Sequence, residues 1–379
     1  MEYKKLGDIA TYINGYPFKP EDRGECGLPI IRIQDLTGNT YDLGYYDGKY
    51  PERIEINNGD ILISWSASLG VYVWNRGKAL LNQHIFKVVF DKVEINKRYF
   101  VYAVQFKLKE MEAKTHGATM KHIVKKDFDS TLIPYPSLKE QSRIAEIIDS
   151  IAKSINMRQK QLQKLDELVK ARFVELFGAY PHNPMGWKTG TIRDVVTDVR
   201  YGSSRPAVDG GKYPYLRMNN ITYGGELDLS DVKRIDVPEN ELEKCTVRRG
   251  DVLFNRTNSK ELVGKTCVYD RDEMMVLAGF VIRVRVNDVV LPEFLSAFLN
   301  TDFSKRTLLG MCKAAIGQAN INAQEMQNIG IYIPPIELQR EFVQFKNQTD
   351  KSKLAIQQSL DKLKTLRKSL MQEYYGQGE

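Results

Sequence analysis

Arginine, asparagine and glutamine carry the paired hydrogen-bonding edges that match guanine and adenine, while lysine, serine and threonine suit phosphate. Side chains of these types gather in the short polar stretches of this sequence, between apolar runs. Tyr16, Phe18 and Lys19 form one group, Arg32, Gln34 and Asp35 another, then Ser64, Trp65 and Ser66, then Lys114, Thr115, His116, Thr119, Lys121 and His122. Further along come Tyr201, Ser203, Ser204 and Arg205; Arg217, Asn219 and Asn220; Asn255, Arg256, Thr257, Asn258, Ser259 and Lys260; and Lys313, Gln318, Asn320 and Asn322. Singly, each group reads as an ordinary solvated turn. Their recurrence at matching places in both halves of the chain suggests a surface for double-stranded DNA, built twice.

Bond-making chemistry finds less support. An adenine methyltransferase needs a [DN]-P-P-[YF] box, and the nearest string, NPMG at 183–186, lacks the second proline and the aromatic and reads as linker. SKELVGKT at 259–266 ends like a phosphate-binding loop, yet Ser259 stands where G-x-x-x-x-G-K-[ST] has its first glycine. Its counterpart SASLGVYV sets Gly70 against Gly264, so both copies read as strand, turn and strand. His84, His116, His122 and His182 show no ligand spacing, and His116 and His122 suit a loop facing DNA or solvent. Cys26, Cys245, Cys267 and Cys312 never form a C-x-x-C pair, which argues against a zinc site or a disulfide framework. No carboxylate pair stands in an evident nuclease arrangement. The expectation is a chain with no catalytic residue, metal or cofactor of its own.

The 379 residues suffice for two or three domains. The formal charge of +7 is compatible with a polyanionic partner without requiring one. No apolar run reaches the roughly 18 residues of a membrane span, and the start, MEYKKLGDIATY, has no secretory apolar core. A cytoplasmic location, away from any membrane, is expected.

What must position the polar groups is written twice. Gln141 aligns with Gln339, 198 residues on, and the match runs without a gap from Ile133–Gly178 to Ile331–Gly376. Identities include Pro136/Pro334, Lys153/Lys351, Gln159/Gln357, Leu162/Leu360, Leu165/Leu363, Leu168/Leu366, Lys170/Lys368 and Gly178/Gly376. Upstream segments repeat more loosely and in the same order: LPIIRIQDL with YPYLRMNNI, NNGDILISW with RRGDVLFNR, LLNQHIFKV with VLAGFVIRV. Such self-similarity marks a duplication.

Within each copy, short β-branched and aromatic runs bounded by Gly, Asn and Asp predict strands and turns, and 97–114 and 291–309 carry helical spacing. Two longer helices follow. In the first, opened by Pro136, Ser137 and Glu140 and stopped by Gly178, the seam Ile144, Ile148, Ile151, Ile155, Leu162, Leu165 and Val169 steps by three and four. The second offers Ile356, Leu360, Leu363, Leu366 and Leu370, with Thr349, Asp350 and Lys353 intruding at its start. At some forty residues each helix is roughly 60 Å long, and helices this polar require a partner for their stripe. A short GAYPHNP connection favours antiparallel pairing. The expected fold class is α+β: two similar mixed α/β globules separated by two long antiparallel helices in an intramolecular coiled coil, with pseudo-two-fold symmetry.

At this point the sequence resembles the specificity (S) subunit of Type I restriction-modification systems, over essentially the entire chain. The tandem globules, PSLKEQSRIAEI before the central helix, LDELVKARFVELFG at its end and the second PPIELQREFV carry the likeness, with Leu338 departing from the pattern where the first copy has Glu140. The resemblance implies target recognition domains at 1–136 and, after a linker, within 179–334, with long helices at 137–178 and 335–379. It implies a non-catalytic subunit whose domains each read one half of a bipartite DNA target. Its helices would set the spacer and dock two modification (methyltransferase) subunits, with or without restriction subunits. The assembled complex would use S-adenosylmethionine, and ATP and Mg for restriction, none of it bound by this chain. A competing class is a coiled-coil scaffold that binds proteins and is indifferent to DNA sequence.

Overall fold

The computed structural model describes residues 2–39, 42–114, 123–312 and 319–376, with Lys114 in its backbone alone. The chain divides into two units, one made of Met1–Arg158 with Ser359–Glu379, the other of Gln159–Gln358.

In the first unit the apolar runs form two four-stranded sheets. One is antiparallel throughout, in the order Thr11–Asn14, Ile85–Val89, Ile61–Ser64, Gly70–Val73. The other runs Tyr45–Tyr46, Leu28–Ile31, Ala79–Leu81, Glu55–Ile56, and its central pair is parallel. A short ladder joins Tyr3–Lys5 to Leu132–Pro134. The helix Lys97–Lys114 lays Tyr99, Phe100, Ala103, Val104 and Leu108 into one core with Tyr12, Ile61, Ile63, Phe86 and Val88 of the antiparallel sheet.

The second unit repeats both four-stranded sheets in the same strand order. Its antiparallel sheet is ordered Val196–Tyr201, Val281–Val286, Val252–Asn255, Thr266–Val268. Its mixed sheet is ordered Lys233–Ile235, Tyr213–Leu216, Met275–Leu277, Thr246–Val247, again with a parallel central pair. Lys188–Thr191 pairs with Gly330–Ile333. The 291–309 stretch differs from expectation: it forms two helices, Pro292–Leu299 and Asp302–Met311. Thr301 breaks it, because its hydroxyl accepts the Ser304 N–H at 3.3 Å and starts a new helix where apolar spacing alone would continue the old one.

The two long helices span Leu138–Phe177 and Ile336–Tyr375, 40 residues each, and Gly178 at φ 84° ends the first. In the first unit Ile144 and Ile148, near the start of one helix, share a core with Met371 and Tyr375, near the end of the other. In the second unit Phe173 and Phe177, at the end of the first helix, pack on Phe342 near the start of the second, with ring centroids 5.3 and 5.8 Å away. Both observations require antiparallel pairing. Each unit is thus closed by helix ends from both copies.

The repeated phrase at each helix start is explained by its glutamine. Gln141 is fully buried; its amide oxygen accepts the Asn96 N–H at 2.9 Å and its nitrogen donates to the Pro136 carbonyl at 2.9 Å. Gln339 is buried likewise, accepting from the Leu291 N–H at 2.7 Å and donating to the Val289 and Pro334 carbonyls at 3.0 and 2.9 Å. Each glutamine therefore fixes the helix to the segment leading into the packed helix of its own globule. Glu140 and Leu338 take no part in this lock, so their difference is immaterial to it.

Seam residues Ile144, Ile148, Ile151 and Leu360 are buried, and Ile155, Leu162, Leu165, Val169, Ile356, Leu363 and Leu370 are half-buried. Leu366 is not a seam residue: it is 47% exposed, as is its repeat partner Leu168 at 48%. The heptad alternation from Ile356 through Leu360 and Leu363 falls next on Arg367, which lies half-buried, and not on the leucine before it. The polar intruders are satisfied. Thr349 donates to the Phe345 carbonyl at 3.0 Å, Asp350 pairs with Lys346, and Lys353 meets Asp166 at 2.8 Å.

Among the described residues no helix is long and apolar enough to cross a membrane, and the four cysteines are free. Replacing Gln339 with Leu strands the buried Pro334 carbonyl and the part-buried Leu291 N–H, and is expected to lower the unfolding free energy by about 1–3 kcal/mol in chemical denaturation. Leu366→Gln should stay within about 0.5 kcal/mol of wild type, whereas Leu360→Ala should cost about 2–5 kcal/mol.

Candidate nucleic-acid interface

The candidate residues fall into those the fold consumes and those it presents. Arg32 and Arg217 occupy equivalent places, just before the short helix Ile33–Thr37 and the helical turn Met218–Asn220. Asp35 and Asn220 are 2% exposed and accept the backbone N–H of those arginines at 2.8 and 2.9 Å. They cap their own turns, so contact with a base is not open to them. The Arg32 guanidinium is held by Asp35 and by the Asp42 carbonyl, and that of Arg217 by Asp231 at 2.8 Å.

The strand ends show the same economy. Ser64 and Asn255 are fully buried at matching positions. The Ser64 hydroxyl donates to the Ser68 carbonyl, and the Asn255 amide oxygen accepts the Thr257 N–H at 3.2 Å. Phe18, Ser66, Ser203 and Thr257 are buried as well, at 6, 6, 8 and 7% exposure. The fold encloses all of these side chains, where base or phosphate contact expects them at the surface. A polar side chain near a turn looks the same in sequence whether it faces solvent or its own backbone.

Presented to solvent are Tyr16, Lys19, Tyr201, Ser204, Arg205, Asn219, Lys260, Asn320 and Asn322, with Gln34, Trp65, Arg256, Asn258 and Ser259 half-exposed. Arg205 is engaged by Glu241 at 2.7 Å, and Asn322 caps the helix Ala323–Gln327 by accepting the Glu325 N–H at 2.9 Å. Lys114 ends its helix; Thr115, His116, Thr119, Lys121, His122, Lys313 and Gln318 lie outside the described residues.

Several presented side chains converge in the second unit. Thr257–Asn258 pairs with Ala319–Asn320, bringing Asn258 and Asn320 to one small ladder. The residue before it, Arg256, lies over the Tyr201 ring at 4.8 Å. The two units match here at the level of single hydrogen bonds. The Trp65 N–H donates to the His84 carbonyl at 3.3 Å as the Arg256 N–H does to that of Phe280 at 2.9 Å. The Ile123 and Ile321 N–H groups donate to the Trp65 and Arg256 carbonyls at 3.0 and 2.9 Å. Phe280, 51% exposed beside this spot, was not anticipated. Its alignment with His84 was the only signal in the sequence, because exposure of an aromatic cannot be read from residue type.

Lysines support these loops from beneath. Lys265, 7% exposed, donates to the Met218 carbonyl at 2.9 Å, and Lys305 donates to that of Gly264 at 2.8 Å. Burial, with Lys265 and Lys170 nearby, pulls the Lys305 ammonium down from 10.5 to about 8. Lys353 sits between Asp166 and Glu226, the latter at 2.5 Å in the Thr222–Glu226 turn. Burial lowers its pKa, but those two hydrogen bonds outweigh the loss and hold it above 10.5.

The family model described as the Type I restriction modification DNA specificity domain matches residues 1–167 and 184–365, once in each repeat. The chain belongs to this family. Its relatives include the Type I restriction enzyme EcoBI specificity subunit of Escherichia coli, 25% identical over 370 residues, 89% of this chain and 77% of that one. The EcoKI specificity subunit of Escherichia coli strain K12 is 24% identical over 373 residues, 89% and 79% of the two chains. The MjaVIII specificity subunit of Methanocaldococcus jannaschii is 25% identical over 368 residues, 89% and 83%. In fold, the chain is similar to the Type I S subunit of M. genitalium, with TM-score 0.55 and 14% identity over 100% of this chain and 96% of that one. It is also similar to a chain from a structure concerned with complex assembly and conformational transition of the type I R-M system, with TM-score 0.60 and 18% identity over 98% and 97%.

The specificity-domain loops of the second unit thus rest on buried charge, and this has a pH signature. A lysine whose native pKa lies below its unfolded value destabilises the fold where both states are protonated, and the penalty fades as pH rises between the two values. Wild type should therefore gain stability relative to Lys305→Met as pH goes from about 8 to 10.5. Paired chemical denaturation curves across that range check it; a difference independent of pH would count against the assignment.

Proposed function

We propose that this chain is the non-catalytic DNA-specificity subunit of a Type I restriction-modification complex, acting in the cytoplasm. Each unit reads one half of a bipartite duplex target through its strand-end loops, and the paired helices set the spacer between the halves. The observation that carries this reading is the building of one fold twice, with one strand order, in a chain of a DNA-specificity family. Two like readers suit a target in two parts.

The helices support a second element of the proposal. Leu168 and Leu366 are equivalent in the repeat, equally exposed, and each followed two residues later by an identical lysine, Lys170 and Lys368. Paired apolar spots of this kind suit two copies of one partner, here the modification subunits. Those partners would supply adenine methylation from S-adenosylmethionine, and any restriction subunits would supply ATP- and Mg-dependent cleavage.

Exchanging residues 185–334 for the corresponding segment of another family member should change only one half of the methylated sequence, as read by methylome sequencing. A change in both halves would show that the units do not read independently. Leu168→Glu and Leu366→Glu should each weaken binding of one modification subunit about tenfold and leave the other bound, a stoichiometry that native mass spectrometry reports. Equal binding of two subunits by the double variant would remove these leucines from the docking surface.

A further inference from the structure

We infer that Arg256 reads a guanine in the half-site served by the second unit. This rests on the proposed DNA-reading role and adds a base to it.

The side chain is built for one ligand geometry. Its backbone is pinned on both sides, by the Phe280 carbonyl and by the Ile321 N–H, each at 2.9 Å. Its guanidinium lies over the Tyr201 ring, and that ring is itself held because the Ala323 N–H donates to the Tyr201 hydroxyl oxygen at 2.9 Å. A planar fork resting on an anchored ring loses little freedom on binding.

The fork is also uncommitted. Arg205, Arg217, Arg283 and Arg285 each hold a carboxylate at 2.7–2.8 Å. Among the described residues Arg256 holds none, and its one hydrogen bond is a long 3.5 Å contact from a terminal nitrogen to the Gly279 carbonyl. Its Nε is buried without a partner, so the two terminal nitrogens of this half-exposed side chain are the donors left for a ligand. Beside it stand Tyr201 and Phe280, 45% and 51% exposed, a degree of aromatic exposure that suits contact with nucleotides.

Two parallel N–H donors select their partner. Guanine presents two acceptors, O6 and N7, side by side in the major groove; adenine alternates acceptor and donor, thymine offers one acceptor, and cytosine offers a donor. The first unit places Trp65 at the same backbone position, stacked on Phe86 at 5.5 Å, and a ring there cannot form this fork. The contact made by Arg256 therefore has no counterpart at the equivalent position of the first unit.

The test uses the chain assembled with its modification subunits, assayed for methylation of duplexes carrying every single base-pair change across both halves. Wild type should reject changes at one G·C pair of the second half by about 10- to 100-fold. Arg256→Gln should lose that discrimination at that pair only, with the first half read as before. A uniform fall across all sequences, the mark of a phosphate contact, would overturn the inference, as would discrimination intact at every position. Should the Gln variant fail to fold by thermal melting, Arg256→Met keeps an unbranched side chain of similar reach without any N–H donor. It must show the same single-position loss. If the wild-type complex itself shows no split preference, the proposed function fails before any variant is compared.

Discussion

Two buried glutamines set the terms for the rest of the structure. A helix of 40 residues with polar faces has no reason to leave a globule at a fixed angle unless its first turn is tied down. Gln141 and Gln339 supply that tie with an amide that accepts from one side and donates to the other, entirely out of water. A buried amide with its partners in place contributes modestly, while the same site with one partner missing is costly, so the lock is strongly selective for one geometry. The far ends of the helices are fixed differently, by aromatic burial. Tyr375 packs against Tyr99 at 5.0 Å in one unit, and Phe177 against Phe294 at 5.0 Å in the other.

On that frame, a duplicated fold presents different side chains at equivalent places. Two backbone hydrogen bonds made by Trp65 recur at Arg256, and the side chains at that position differ in kind. Turn-capping residues such as Asp35 and Asn220 hold the loops in shape, and the positions at the tips are released from that duty. Function is then a property of a few presented side chains on loops whose conformation the core dictates. A substitution at a tip costs little stability, whereas one at a cap alters the loop that carries the tip.

Much of this was legible in the residues. The duplication, the alternation of short strands, the helix limits at Pro136 and Gly178 and the seam of the first helix all follow from patterns with a direct physical cause. Legibility failed where one pattern can serve two purposes. Leu366 looks like a seam residue because leucines recur around it, but the three-four alternation runs through Arg367, and a polar seam residue hides the register. The 291–309 helix appears continuous by apolar spacing, and a single threonine cap divides it. Ser64 and Asn255 look like readers because they end strands beside polar loops, yet both are fully buried. The glutamine lock was visible as an identity in the repeat, but its purpose required the partners on Asn96 and Leu291 to be seen.

The central claim is that this chain carries DNA sequence specificity through two copies of one reading fold. It is tested most directly by footprinting the complex with its modification subunits on duplex DNA while salt is varied. The account predicts two protected patches separated by an unread spacer, with binding that weakens steeply as salt rises because phosphate neutralisation releases counterions. A protein-binding scaffold would give no sequence-dependent protection, and that result, or one uninterrupted patch read throughout, would contradict the account.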